Sequence, residues 1–271
     1  MLLHKKQPLP DTTDQVCSRI QEFLSHPEEP LNSQDGLREY GAAIFPGFLW
    51  LRHGADLWVD VFSRAYEEGL EAVLDEALEA QAGTTLADTV AAFWSLAAHP
   101  EDFWPDGAEY RSTGVPRLSR DAAVLPLDYS TGFSSAPGRF GANLFRLPVT
   151  GTSLTVLFQP TSPGQARLAV SREGDPSAAV TDLSEGTRSV SVPGGDGPAY
   201  VALVNLGEAG LNYSVAFEEG GQGTVSDATG TGSGGNQASG TGEGTAGTGP
   251  GAVADGASPT TGGCFLSSLA W

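Results

Sequence analysis

The chain has 271 residues and a formal net charge of −19, from 33 acidic and 14 basic side chains. A surface of this charge repels phosphate groups, which excludes nucleic acid and anionic lipid as expected partners. No apolar run approaches the roughly 18 residues that a membrane-spanning helix needs. A hydrophobic content of 39% is enough for a sizeable core in one large domain or two ordinary ones.

The first residues, "MLLHKKQPLPDTTD", carry two lysines and no long apolar stretch after them. This is not the pattern of a secretory signal, so the sequence predicts either a cytosolic protein or an export signal encoded upstream. The two cysteines lie far apart, Cys17 in a helical pattern and Cys264 near the end of a Gly-rich tail. We therefore expect no disulfide between them.

An α-helical subdomain is predicted over residues 11–112, after a disordered start at 1–10, because apolar side chains recur there at three- and four-residue steps. Asp11 or Thr12 can cap the first helix, the second covers about 35–52, and Thr85 with Asp88 has the spacing of an approximate capping box. The predicted inward side chains are Val16, Ile20, Phe23, Leu24, Tyr40, Ile44, Phe48, Leu51, Leu57, Val61, Ala65, Leu70, Val73, Leu74, Ala77, Leu78, Leu86, Val90, Phe93, Trp94 and Ala97, with Trp58 and Phe62 beside the third stripe.

Over residues 117–219 the hydrophobic period changes to two. Six short alternating or apolar runs are divided by turn clusters: "GANLFRLPV", "SLTVLFQP", "ARLAVSRE", "RSVSVP", "AYVALVNL" and "LNYSVAFEE". Strands at this regular spacing, with no helical stretch between them, predict an antiparallel β-sandwich of the immunoglobulin-like or jelly-roll kind. The predicted fold class is therefore an α+β multidomain protein.

Residues 220–263 form a low-complexity segment. Sixteen of these 44 residues are glycine, and Val225 and Val253 are the only large aliphatic side chains. Because nothing in the segment can offset the entropy of ordering the backbone, we expect a disordered linker. It leads to a short apolar end at 264–271 that begins with Cys264. That cysteine is a candidate for processing or anchoring, and a frayed end is the alternative.

The common catalytic motifs are absent from the sequence. The four histidines include no H-E-x-x-H pair, no cysteines have zinc spacing, and neither a phosphate loop nor G-x-S-x-G occurs. Two residues are candidates for substrate contact. Tyr40 heads an apolar stripe, which also fits core packing, and His53 precedes Gly54 at a helix end, where a cation also interacts with terminal carbonyls.

The helical region resembles one family of proteins. The segment "QEFLSHPEEPLNSQDGLREYGAAIFPGFLWLRHGADLWVDVFSRAYEEG", followed by a Leu-rich helix and "TTLADTVAAFWSLAAHPEDFW", is similar to the stretch that follows the zinc motif in a family of secreted bacterial metalloproteases. In that family a β-sandwich is commonly appended, and a Gly-rich stretch leads to a sorting or anchoring signal. The resemblance covers about residues 20–219.

The resemblance implies that this chain is the non-catalytic C-terminal part of such a protein. The family's zinc ligands and catalytic Glu match no position here, so we expect no cofactor in this chain and no peptide hydrolysis by it. The helices would be a scaffold, and the sandwich would contact a peptide or protein substrate or a cell-surface component. The expected location is extracellular or at the cell surface. A further expectation is that apolar side chains such as Phe45, Phe48 or Trp50 stay uncovered.

A second hypothesis comes from a different class of function. The chain would be a free-standing extracellular binding or adhesion protein, in which the β-sandwich is the binding module and the helices support it. The upstream nucleotide sequence distinguishes the two hypotheses, because only the first requires an encoded H-E-x-x-H and a signal peptide there.

Overall fold

The computed structural model describes residues 12–33, 42–104, 116–132, 135–148, 151–162, 164–184, 186 and 188–219, with side chains from residue 18 onward. Among these residues, five α-helices come first: α1 (Thr12–Ser25), α2 (Ile44–His53), α3 (Ala55–Glu68), α4 (Leu70–Ala82) and α5 (Leu86–Ala97), followed by a short 3-10 helix, Pro100–Asp102. Nine strands follow in the described part of the chain, in two sheets. Within the described residues, no helix is long and apolar enough to cross a membrane.

Glycines separate the central helices. Gly54, Gly69 and Gly83 each follow a helix and adopt positive φ angles of 83°, 91° and 63°, which only glycine adopts without strain. Of the predicted second helix, 35–52, the structure describes a turn at Ala42 and a helix from Ile44, and residues 35–41 lie outside the described residues. Pro46 lies in the first turn of α2, where a missing N–H is tolerated.

Most of the predicted inward side chains are buried, and the clearest case is α5. Thr85 caps this helix by accepting a hydrogen bond from Asp88 N at 3.1 Å. The second half of the predicted capping box does not form, because the Asp88 carboxylate binds Arg167 on a strand at 2.7 Å. All five predicted core positions of α5 are buried: Leu86, Val90, Phe93, Trp94 and Ala97.

Two side chains differ from the expected pattern. Leu70 is the first residue after the turn at Gly69 and remains exposed, so its predicted burial is wrong. Phe62, expected beside the buried stripe of α3, is also mostly exposed, whereas Leu57 and Val61 are buried. The buried stripe of α3 therefore includes fewer side chains than the sequence pattern indicates.

The strands are β1 (Arg120–Asp121), β2 (Leu127–Ser130), β3 (Ala142–Leu147), β4 (Leu154–Pro160), β5 (Ala166–Arg172), β6 (Ala178–Asp182), β7 (Arg188–Val192), β8 (Ala199–Asn205) and β9 (Tyr213–Glu219). They form a five-stranded sheet of order β1-β3-β8-β5-β6 and a four-stranded sheet of order β2-β9-β4-β7. All pairs are antiparallel except β1 with β3. The predicted α+β class with a β-sandwich is confirmed. All six predicted strands are present, and β1, β2 and β6 are additional.

One core lies between the two sheets and a second lies between the five-stranded sheet and the helices. The second core contains Phe93 and Trp94 of α5 together with sheet residues such as Leu144, Ala169 and Ala202. Trp94 also donates its indole N–H to the Phe140 carbonyl at 2.8 Å. The helices thus cover one face of the five-stranded sheet, and the outer face of the four-stranded sheet is left uncovered by them.

The segment that follows α1 packs against the start of β3. Ala142 N donates to Pro27 O at 2.6 Å, and Gly138 N donates to Glu28 O at 2.7 Å. A Cβ added to Gly141 would lie 2.6 Å from Glu28 O, so this approach of two backbones requires glycine. The N-terminal helix is therefore attached directly to the sandwich.

Candidate functional site

A chain of polar side chains crosses the boundary between the helices and the five-stranded sheet. His99, which follows α5, places Nδ1 at 2.9 Å from Asp102 Oδ2 and Nε2 at 2.6 Å from Ser171 Oγ. Ser171 lies on β5, so the order of groups is carboxylate, imidazole and hydroxyl, as in a Ser-His-Asp triad. No sequence motif indicated this arrangement.

Further hydrogen bonds complete this polar chain. Ser95 Oγ donates to Ser171 Oγ at 2.7 Å, and Ser171 Oγ donates to Ser95 O at 3.0 Å. Asp102 Oδ2 also accepts a hydrogen bond from Gly174 N at 2.6 Å. The Tyr200 ring stacks on the His99 ring with centroids 5.0 Å apart. Every polar atom of Ser171 and His99 therefore has a partner within the protein.

Burial decides what this arrangement can do chemically. Ser95, His99 and Ser171 are all buried, and Ser171 Oγ faces α5 rather than solvent. A substrate carbonyl could reach that oxygen only if α5 separated from β5, which would break the shared core. The Asp102-His99-Ser171 chain is thus an internal polar link between the helices and the sandwich.

His53, a predicted contact residue, lies at the C-terminal end of α2. Desolvation by burial lowers the pKa of its imidazole, and the charge of Arg52 lowers that pKa further. Its Nε2 is buried without a hydrogen-bond partner. Burial therefore favours the neutral ring at this helix end. A substrate contact for His53 stays a prediction, and Tyr40 and Cys264 lie outside the described residues.

Two arginines hold the helices to the edge of the sandwich. Arg167 on β5 contacts Asp88 on α5 and Asp182 on β6, both at 2.7 Å. Arg139 contacts Glu71 on α4 and, at 2.9 Å, Glu208. Both arginines line a cleft of about 660 Å³. Each guanidinium already has two carboxylate partners, so this cleft is not a ready site for an anion.

The outer face of the four-stranded sheet is a second candidate surface. A shallow depression of about 560 Å³ runs across β2, β9 and β4. Small or polar side chains form much of its lining, including Ser130, Ser214 and Gln159, and Leu157 is an exposed apolar side chain within it. The register places Leu157 beside Ala216 on β9 and Ser189 on β7. The depression can accommodate an extended ligand across the strands.

An exposed apolar surface on α3 is the third candidate. Trp58, Phe62 and Tyr66 follow one another at steps of four residues, and Val59 lies three residues before Phe62 and seven before Tyr66. The four side chains therefore lie along one side of the helix, and we call them the α3 aromatic surface. Trp58 is half-buried and stacks on Phe62 with ring centroids 5.3 Å apart. The exposed fractions are 70% for Val59, 59% for Phe62 and 99% for Tyr66, with 54% for Leu70 at the start of α4 and 42% for Trp50 on α2.

The expectation of uncovered apolar residues is met at one of its three positions. Trp50 is exposed, whereas Phe45 and Phe48 are buried. Phe48 packs against Phe93 and Trp104, so these helices cover it themselves. The exposed apolar surface is therefore centred on α3 rather than on the "IFPGF" segment that suggested it.

Exposed carboxylates lie along one edge of the α3 aromatic surface. Asp56 and Glu67 are exposed beside Val59 and Tyr66, whereas Glu68 lies with Arg64 on the other side of the helix. Arg64 is the single base of α3, and it contacts Asp60, Glu68 and Glu76. Hydrogen bonds to Glu68 and Glu76 raise the pKa of Arg64, and the bond from Arg64 lowers the pKa of Glu68. The surface thus combines an apolar centre with negative side chains along one edge.

Among the described residues, no group of three or more His, Cys, Asp or Glu side chains could hold a metal ion.

No protein-family model matches the chain, and no curated protein matches its sequence. Solved structures similar to part of it include the pre-peptidase C-terminal domain of a collagenase from Bacillus anthracis, at 10% identity and a TM-score of 0.31 over 38% of this chain and 95% of that one. A family two carbohydrate esterase from Clostridium thermocellum has 18% identity and a TM-score of 0.25 over 35% of this chain and 32% of the esterase.

The periplasmic lysozyme inhibitor PliG from Aeromonas hydrophila is also similar, at 10% identity and a TM-score of 0.26 over 38% of this chain and 96% of the inhibitor. These likenesses extend over little more than a third of the chain. This chain spans about a third of the length of the esterase.

Proposed function

We propose that the chain is the non-catalytic part of a secreted zinc metalloprotease-like protein, in which the helices and the β-sandwich form an accessory unit that docks onto another domain. The observation that carries this proposal is the α3 aromatic surface. Val59 and Tyr66 are strongly exposed on a helix whose other side is packed into the core. Exposed apolar patches of this kind mark contact surfaces in soluble proteins.

The buried polar chain fits the same proposal. Ser171 has the partners of a catalytic serine but no access for a substrate, so it supports an architectural function. The arginine pairs at Arg139 and Arg167 also join helices to strands. In a rigid unit of this kind, the position and orientation of the docking helix α3 are fixed relative to the open face of the four-stranded sheet.

Metal content and proteolysis test the proposal directly. The purified chain should contain no stoichiometric zinc and should not cleave casein, because its sequence has no H-E-x-x-H motif to bind zinc and activate a water. A Ser171→Ala variant is the matched control for serine chemistry, and it should hydrolyse a nitrophenyl ester no more slowly than the parent chain. Stoichiometric zinc together with chelator-sensitive cleavage would contradict the proposal.

The gene context gives a second test. The proposal expects the nucleotide sequence immediately upstream to encode H-E-x-x-H and a signal peptide. Intergenic sequence at that place would contradict it. A domain encoded there should bind the purified chain, and the double variant Val59→Ser with Tyr66→Ser should weaken that binding.

The depression on the four-stranded sheet favours one alternative, an extracellular binding or adhesion protein. In that case labelled chain should be retained on purified cell envelope, and changing Leu157→Ser with Gln159→Ala should abolish retention. The Val59→Ser, Tyr66→Ser variant is the control and should be retained like the parent. The opposite pattern supports docking through α3.

A further inference from the structure

We infer that the α3 aromatic surface binds a protein partner that has an apolar centre and a basic rim. This inference rests on the proposed function, since it assumes that the unit docks, and it adds the chemistry of the partner. The surface itself contains Trp58, Val59, Phe62 and Tyr66. It extends over eight residues of helix, or about 12 Å.

The size of the apolar centre requires additional contacts at its edge. An aromatic ring buries roughly 150–250 Å² when a partner covers it. The exposed parts of Val59, Phe62 and Tyr66 therefore supply a few hundred Å² at most, against about 800 Å² per partner in a stable interface. The remaining contact area must come from the polar residues that surround the apolar centre, as in the rim of an ordinary interface.

The charges of that rim determine the partner. Asp56 and Glu67 are exposed on α3, next to Val59 and Tyr66 along the helix. Arg64 does not offset them for a partner, because Glu68 at 2.9 Å, Asp60 at 3.9 Å and Glu76 all contact it. Carboxylates at an interface rim favour Lys and Arg on the other side and speed association.

A second copy of this chain does not satisfy the same requirement. Two α3 helices packed together would place the exposed carboxylates of one copy near those of the other, and the whole chain carries a net charge of −19. Like charges across an interface are destabilising. An anionic membrane is disfavoured for the same reason. The surface therefore selects a basic protein partner, and the free chain should be monomeric.

Synthetic peptides test this chemistry. The probes are three 14-residue amphipathic helices with leucine on one face and lysine, glutamine or glutamate on the other, and binding to the full chain is followed by fluorescence anisotropy. The lysine peptide should bind about tenfold or more tightly than the glutamine peptide, and the glutamate peptide more weakly still. The double variant Val59→Ser with Tyr66→Ser should lower the affinity for the lysine peptide by about tenfold.

Two control variants separate the apolar centre, the rim and nonspecific attraction. The double variant Asp56→Asn with Glu67→Gln should weaken binding of the lysine peptide and leave the affinity for the glutamine peptide unchanged. Val124→Ser removes an exposed apolar side chain between β1 and β2 and should leave all peptide binding unchanged. All of these side chains are exposed, so circular dichroism and the melting temperature should show that each variant is folded.

The outcomes distinguish this inference from the proposed function. Suppose that the lysine and glutamine peptides bind equally and that the Val59→Ser, Tyr66→Ser variant binds neither. This result would contradict a partner with a basic rim, but α3 would remain the docking surface. Binding that is unaffected by the α3 variants, or that falls equally with Val124→Ser, would overturn both. Sedimentation equilibrium could instead show that the free chain is a dimer and that Val59→Ser with Tyr66→Ser abolishes the dimer. That result would contradict the inference that the partner is a basic protein.

Discussion

At the scale of single residues, His99 belongs to no sequence motif, yet its side chain links the helices to the β-sandwich. In the sequence it is one of four isolated histidines. In the structure it joins Asp102, three residues later, to Ser171, seventy-two residues later, through hydrogen bonds of 2.9 Å and 2.6 Å. The Asp102 contact could have been suspected from spacing at a helix end. The Ser171 contact could not, because it depends on how α5 lies on β5.

Removal of the Ser171 hydroxyl should reduce stability without affecting any hydrolytic activity. Ser171→Ala leaves His99 Nε2 and Ser95 Oγ buried without one partner each, at a cost of about 1–3 kcal/mol. Urea denaturation measures the free energy of unfolding. The matched control is Ser63→Ala, since the Ser63 hydroxyl is on the exposed side of α3 and donates to Asp60 O. A neutral result for Ser171→Ala would contradict the internal link.

Asp175 provides a pH-dependent readout near the same link. Hydrogen bonds from the Ser177 hydroxyl and main-chain N–H hold the pKa of its carboxyl below its usual value of 3.8. Because the folded pKa is depressed, the contribution to stability is present above pH 3.8 and is lost as pH falls through the lower folded pKa. The Ser177→Ala variant should raise the pKa of Asp175 in an NMR titration. An unchanged titration would show that the hydroxyl has no effect.

At the scale of elements, hydrophobic period predicted the helices and the long strands well. The stripes of α4 and α5 are buried as expected, except at Leu70, because a 3.6-residue period reports directly which side of a helix packs. The short strands β1, β2 and β6 were missed. Their side chains are mostly exposed or half-buried, so they carry little alternation for the sequence to show.

The junction between α1 and β3 gives a test at this scale. Gly141→Ala places a methyl group within 2.7 Å of the carbonyl oxygens of Glu28 and Glu29 and should destabilise the fold by about 1–3 kcal/mol. Gly151→Ala is the control, because an added Cβ there meets nothing within 4 Å. Thermal unfolding of both variants measures the difference. Equal melting temperatures would mean that the loop after α1 moves away at no cost.

At the scale of the whole molecule, the helices and the five-stranded sheet share a single core. Phe93 and Trp94 pack together with Leu144 and Ala202, and the Asp102-His99-Ser171 chain crosses the same boundary. The boundaries predicted from the sequence, 11–112 and 117–219, follow a change of period and stay a prediction about domains. The hydrophobic period within a segment does not show whether that segment and its neighbour pack into one common core.

The shared core predicts one cooperative unfolding transition. The described tryptophans, Trp50, Trp58, Trp94 and Trp104, all lie in the helical part, so their fluorescence follows the helices, whereas tyrosine absorbance includes the buried Tyr213 of β9. The two signals should change at the same urea concentration. Ser171→Ala should shift both midpoints together. Separate midpoints would show that the two parts unfold independently.

The sequence alone determined the fold class, most of the core and the absence of familiar catalytic motifs, because local periodicity and short motifs carry that information. Only the tertiary structure decided which apolar side chains remain exposed and which polar ones meet. Phe48 became buried under Phe93, and Phe62 and Tyr66 remained at the surface. These outcomes depend on contacts between residues far apart in the chain, which a pattern within one helix does not record.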